Sequence, residues 1–115
     1  ENKYVNIIGH LTGRLLNRRS GYEVDVEKIL AAAAQNNVAL EINSHPDRLD
    51  VDENIVRRAC ACGVKLAINS DAHDLNELAN VSYGAAVARR GWAQKSDVLN
   101  TMDLKNFTQN LSNRR

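Results

Sequence analysis

Two hydrophobic rhythms alternate along this chain. Tyr4-Val5-Asn6-Ile7-Ile8, Val38-Ala39-Leu40-Glu41-Ile42-Asn43 and Val64-Lys65-Leu66-Ala67-Ile68 are short, compact and rich in β-branched or large apolar residues. They read as strands. Between them the apolar positions fall at helical spacing: Val26, Ile29, Leu30 and Ala33 behind Asp25, then Ile55, Val56, Ala59 and Cys60 behind Asp52. Each aspartate offers an N-cap acceptor, and Gly63 supplies the glycine that commonly ends a helix. Further helical segments are predicted near 75–80, 83–90 and 103–113. The stretch from Leu11 to Glu23, with Gly13, Gly21, Arg14, Arg18 and Arg19, reads as a long functional loop.

Strand and helix therefore alternate, and strands joined by crossover helices run parallel, so the fold class is α/β. Three strands are few for a sheet that should be covered on both faces. The alternation also starts at the first residues, and part of a larger barrel or sheet is expected.

Composition changes little in this picture. The 115 residues are 43% hydrophobic and 25% charged, an ordinary globular balance that fits one domain. Aromatics make up 4%, which leaves the core to Ala, Val, Ile and Leu. A formal charge of +1 gives no overall field for nucleic acid. No apolar run reaches the roughly 20 residues of a membrane helix, and Glu1-Asn2-Lys3 does not open a signal peptide. A cytoplasmic location without membrane partners is expected. Cys60 and Cys62 face different directions on one helix, which suits reduced thiols better than a disulfide or a shared zinc.

The chemistry collects just after the strands. His10 follows the first, Glu41 and Asn43 end the second, and Asp71 and His73 follow the third. In parallel α/β folds these carboxyl ends converge on one crevice. Imidazole with carboxylate suits a divalent ion, so His10, Asp71 and His73 are candidate metal ligands. Alternatively, His73 starts a helix, Asp71 accepts backbone hydrogen bonds, and His10 is a satisfied buried histidine. Glu41, with Asn43 beside it, either orients a ligand imidazole or pairs with an arginine. Arg14 and Arg48 belong to crevice-side loops, where a guanidinium can grip a phosphate ester. Arg89 and Arg90 read rather as a solvated helix face, and His45, before Pro46, as a loop residue.

Ile7-Ile8-Gly9-His10-Leu11-Thr12-Gly13-Arg14-Leu15-Leu16 resembles the histidine-bearing segment of PHP (polymerase and histidinol phosphatase) domains, in the version carried by bacterial and archaeal family X DNA polymerases. The resemblance continues through Leu40-Glu41-Ile42-Asn43, Pro46-Asp47-Arg48-Leu49-Asp50, Asn69-Ser70-Asp71-Ala72-His73, Ala88-Arg89-Arg90-Gly91-Trp92 and Leu99-Asn100-Thr101. It implies residues 1–115 are the C-terminal portion of a distorted (β/α)7 PHP barrel whose first half is absent. It also implies several ions, manganese or zinc, with His10 as one ligand and Asp71 and His73 as the closing pair. Where the family has proline after the first histidine, this chain has Leu11. The implied activity is hydrolysis of DNA 3′ ends in the full-length protein, a 3′-5′ exonuclease or repair function. The implied partners are DNA, the missing half of the domain and the polymerase domains. The segment alone is expected to bind metal weakly, to be inactive, and to self-associate through its open strand edge. A histidinol-phosphatase-like enzyme and a non-catalytic scaffold are the alternatives.

Overall fold

A computed structural model describes residues 2–112. Three parallel strands, β1 (Ile7–Ile8), β2 (Ala39–Asn43) and β3 (Leu66–Asn69), form one sheet in the order β1-β2-β3. Helix α1 (Val26–Gln35) joins the first pair and α2 (Glu53–Ala61) the second; α3 (Val81–Arg90) and α4 (Leu104–Ser112) follow. The expected α/β architecture is present, consistent with part of an α/β barrel.

The helices begin and end as the side chains dictate. The Asp25 carboxylate accepts from the Lys28 N–H at 3.1 Å, and the Asp52 carboxylate from the Ile55 N–H at 2.9 Å. Each fills an otherwise unmet donor of a first helical turn. Beyond α2, Gly63 takes φ +78°, the left-handed conformation glycine adopts without steric cost. The segment near 75–80 is a 3-10 turn (Asn76–Asn80) rather than an α-helix, and it runs directly into α3. Of the predicted final helix, residue 113 lies outside the described residues.

The sheet sorts its residues by face. Ile8, Leu40, Ile42, Leu66 and Ile68 point to one side and pack with Leu30 and Ala33 of α1, Ile55, Val56 and Ala59 of α2, and Val87 and Ala88 of α3. Leu40, Ile42 and Leu66 are wholly removed from solvent, and each such burial is worth about 2 kcal/mol. The other side carries small residues, Ala39 and Ala67, against Leu99, Met102 and Phe107.

The two edges differ. Beside β3, the Asn100 side chain accepts from the Ile68 N–H and donates to the Ile68 carbonyl, both at 2.8 Å, mimicking a neighbouring strand. On the β1 side a groove of about 440 Å³ runs along α1, lined by Val5, Ile8, Ile29, Ala33 and Val38. The predicted first strand is shortened here: Tyr4 and Val5 are exposed, and only Ile7 and Ile8 pair with β2.

Candidate functional site

His10, Glu41 and Asn69 come together where the three strands end. The link is Glu41, buried on the small-residue face of β2. One of its carboxylate oxygens accepts the His10 backbone N–H at 2.7 Å, and the other accepts from the Asn69 side-chain amide at 2.9 Å. A single carboxylate thus ties the end of β1 to the end of β3. It holds the His10 backbone and makes no ion pair with an arginine among the described residues. Neither of the two roles the sequence left open describes it fully.

His10 and Asp71 both adopt positive φ, at +30° and +55°. L-residues rarely hold such angles, and each costs on the order of 1–3 kcal/mol. Strained backbone is thus found beyond both outer strands of the sheet, and such strain clusters at functional sites. At Asp71 the bend also turns its carbonyl toward its neighbour: it lies 2.8 Å from His73 Nδ1. With the proton on Nδ1, that contact fixes the ring and leaves Nε2 free as a lone-pair donor.

Arg48 and Arg14 are arranged unlike each other. Arg48 lies with its Nε 3.6 Å from the Asp71 carboxylate, so a guanidinium does face the strand ends. Arg14 instead donates from Nε to the Arg48 carbonyl at 2.8 Å, and its Nη2 donates to the Leu49 carbonyl. Those bonds stitch the loop after β1 to the loop after β2. Asn43 is fully buried and its side chain accepts from the His45 N–H at 3.1 Å, shaping the turn.

Three contributors escaped the sequence reading. Glu77 accepts the His73 N–H at 2.6 Å, while its other oxygen lies 3.6 Å from His45 Nε2. His45 is thereby drawn beside His73, with ring centroids 6.5 Å apart. Asp50, buried beneath the loop, accepts from the backbone N–H groups of Thr12 and Gly13, each at 3.0 Å. None carries a periodic signal. Each acts through a side chain on a distant or looping backbone, which spacing does not encode.

Two imidazoles and a carboxylate are a donor set suited to manganese or zinc. Among the described residues, however, no three His, Cys, Asp or Glu side chains close up tightly enough to hold an ion. The donor chemistry fits a divalent metal, and the donor number falls short of a closed site.

Parallel strands, a polar cluster at their carboxyl ends and a covered far edge define a segment of an α/β domain, the class in which ligands bind at the carboxyl ends of the strands. Over 104 residues the chain is 44% identical to the DNA polymerase/3'-5' exonuclease PolX of Bacillus subtilis (strain 168), a match covering 90% of this chain and 18% of that protein. Over 107 residues it is 33% identical to a protein named a probable phosphatase in Thermoanaerobacter sp. (strain X514), and equally to its counterpart in Thermoanaerobacter pseudethanolicus. These matches cover 88% of this chain and 41% of each phosphatase. No family model matches. Over most of its length the chain is similar to a segment of a DNA polymerase/3'-5' exonuclease and to a segment of proteins named probable phosphatases, and it spans less than half the length of the relatives it matches.

Proposed function

We propose that residues 1–115 form the C-terminal portion of a PHP-type domain, and that the full-length protein is a metal-dependent phosphodiesterase that hydrolyses DNA 3′ ends. The observation that carries this reading is the Asp71–His73 bend, with the Arg48 guanidinium against it and the His10 backbone tied to the same carboxylate as Asn69. The relative's name, a polymerase with 3'-5' exonuclease, supplies the substrate class.

In this reading His10, Asp71 and His73 hold the ions. Such ions, when bound, lower the pKa of a coordinated water and stabilise charge on the phosphoryl oxygens. The remaining work falls to the chain. Asp71 presents its carbonyl so that His73 keeps Nε2 directed away from the backbone. Arg48 offers a fork to the phosphate, and Arg14 keeps the Arg48 backbone in place. Glu41 fixes the spacing between the His10 and Asn69 strand ends. Hydrolysis adds water to the terminal phosphodiester, breaks its bond to the 3′ oxygen of the preceding nucleotide, and leaves a nucleotide and a 3′ hydroxyl.

Replacing Asp71 by Ala in the full-length protein is expected to abolish exonuclease activity and leave polymerisation intact. Retained exonuclease activity would sink the assignment. A small-molecule phosphatase is the second reading, favoured by the larger share of the phosphatase relatives that this chain matches. Comparing hydrolysis of single-stranded DNA with that of histidinol phosphate separates the two. Metal content of the intact protein, near zero, would instead mark a non-catalytic scaffold.

A further inference from the structure

The joint of α2 and α3 carries an exposed aromatic that neither the core nor the strand-end site uses. Gly91 ends α3 against Val56, where an added Cβ would lie 2.3 Å from Val56 Cγ1. Trp92 follows with φ +64°, its N–H bonded to the Arg89 carbonyl at 3.0 Å. This is the left-handed residue after a helix, a position normally given to glycine or asparagine. A tryptophan there is strained by on the order of 1–3 kcal/mol, yet it remains 71% exposed. The hydrophobic effect does not account for it.

Arg57 of α2 stacks on the ring, its guanidinium carbon 3.7 Å from the centroid. The stack holds the indole in a fixed plane and leaves most of its surface in water. The neighbouring cations divide into two kinds. Arg90 and Arg58 are engaged by Glu53 and Glu27. Arg57 and Arg89 have no carboxylate partner among the described residues. An indole held by one guanidinium, with the exposed Arg89 on the last turn of the preceding helix and neither arginine paired with a carboxylate among the described residues, matches the stacking face and backbone charge of single-stranded nucleic acid.

We infer that Trp92, clamped by Arg57, is a stacking platform for an unpaired base of single-stranded DNA, with Arg89 toward its phosphates. The site stands on residues separate from the strand ends and does not depend on their chemistry. It deepens the proposed function by giving the single strand a second hold on the outer, helical side of the sheet.

The chain holds one tryptophan, so its emission reports this platform alone. Titration of the 115-residue chain with oligodeoxythymidylate is expected to quench that emission saturably. By anisotropy of a labelled oligonucleotide, Trp92→Ala is expected to weaken binding about tenfold or more, Arg57→Ala less, and Trp92→Phe only slightly. Circular dichroism on each variant checks that the fold persists. Exonuclease activity of the full-length protein, read separately, tests the strand-end site, so the two readings can fail independently. In that protein, a 5-iodouracil oligonucleotide is expected to photocrosslink at Trp92. Absence of binding, unquenched emission at saturating oligonucleotide, or unchanged affinity in folded Trp92→Ala overturns the inference.

Discussion

The Asp50 carboxylate accepts the Gly13 backbone N–H at 3.0 Å, across 37 residues of chain. A second bond of the same length goes to the Thr12 N–H. Asp50 is fully buried, so these donors have no water to fall back on. Replacing it with Ala strands both and leaves a void, for an expected loss of about 3 kcal/mol. Both bonds end on the same oxygen, Oδ2, so Asn with its amide oxygen there can keep both and should recover most of that loss; its amide protons meet only the longer 3.4 Å contact to the Thr12 N–H. Urea unfolding of the three proteins checks the order.

Opposite effects are expected at two residues that touch each other. An added Cβ on Gly84 would lie 2.0 Å from Ser44 Oγ and 2.7 Å from Ile68 Cγ2. Gly84→Ala is therefore expected to destabilise by about 1–3 kcal/mol through overpacking, despite its better helix propensity. Ser44 Oγ is buried without a hydrogen-bond partner among the described residues. Ser44→Ala removes that unmet group and should be neutral or stabilising by about 1 kcal/mol. Thermal melts of both variants decide, and a destabilised Ser44→Ala would mean the hydroxyl has a bound partner.

Glu41 gives a graded test of the strand-end site. Gln can accept from either His10 N–H or the Asn69 amide, but not from both without facing one donor with another. Glu41→Gln in the full-length protein is expected to lower manganese affinity about tenfold, and Glu41→Ala further, with the fold retained. Isothermal titration with manganese measures this, and equal affinities in all three proteins would remove Glu41 from the site.

The two thiols should behave differently toward alkylating reagents. Burial, aided by the Asp97 carboxylate, pushes the Cys60 thiol from the usual 9.0 up to about 11. The thiolate is the reactive form, so Cys60 stays inert at pH 8 while exposed Cys62 reacts. Iodoacetamide labelling followed by peptide mapping reads the two rates. The same shift sets a direction for stability. The unfolded chain loses the Cys60 proton near pH 9 and the folded chain only near 11, so this residue's contribution is intact below pH 9 and declines between the two values.

What the sequence disclosed depended on whether the signal was local. The helix caps at Asp25 and Asp52, the stop at Gly63 and the three strand ends all follow from residues adjacent in the chain. The first strand is shorter than predicted: Tyr4 and Val5 have the right side chains, but the ladder with β2 runs through Ile7 and Ile8. Arg14 shows another kind of blindness. Its charge and place suggested a phosphate grip, whereas its guanidinium bonds the carbonyls of residues 48 and 49, a contact only the folded loops reveal. Asp50 and Glu77 were missed for the same reason, since each accepts from backbone N–H groups 4 to 38 residues away.

The separation of the sheet into two faces has a consequence for how this sequence can change. In all three strands the even-numbered positions, Ile8, Leu40, Ile42, Leu66 and Ile68, pack under the helices. The odd-numbered ones divide: Glu41 and Asn69 meet at the strand ends, while Ala39 and Ala67 are buried against Leu99, Met102 and Phe107. Selection for chemistry therefore falls on a few odd letters of these short words, and selection for folding on all the rest. A library varied at positions 41 and 69 alone should explore new ligands at less cost to folding than one that also enlarges Ala39 or Ala67.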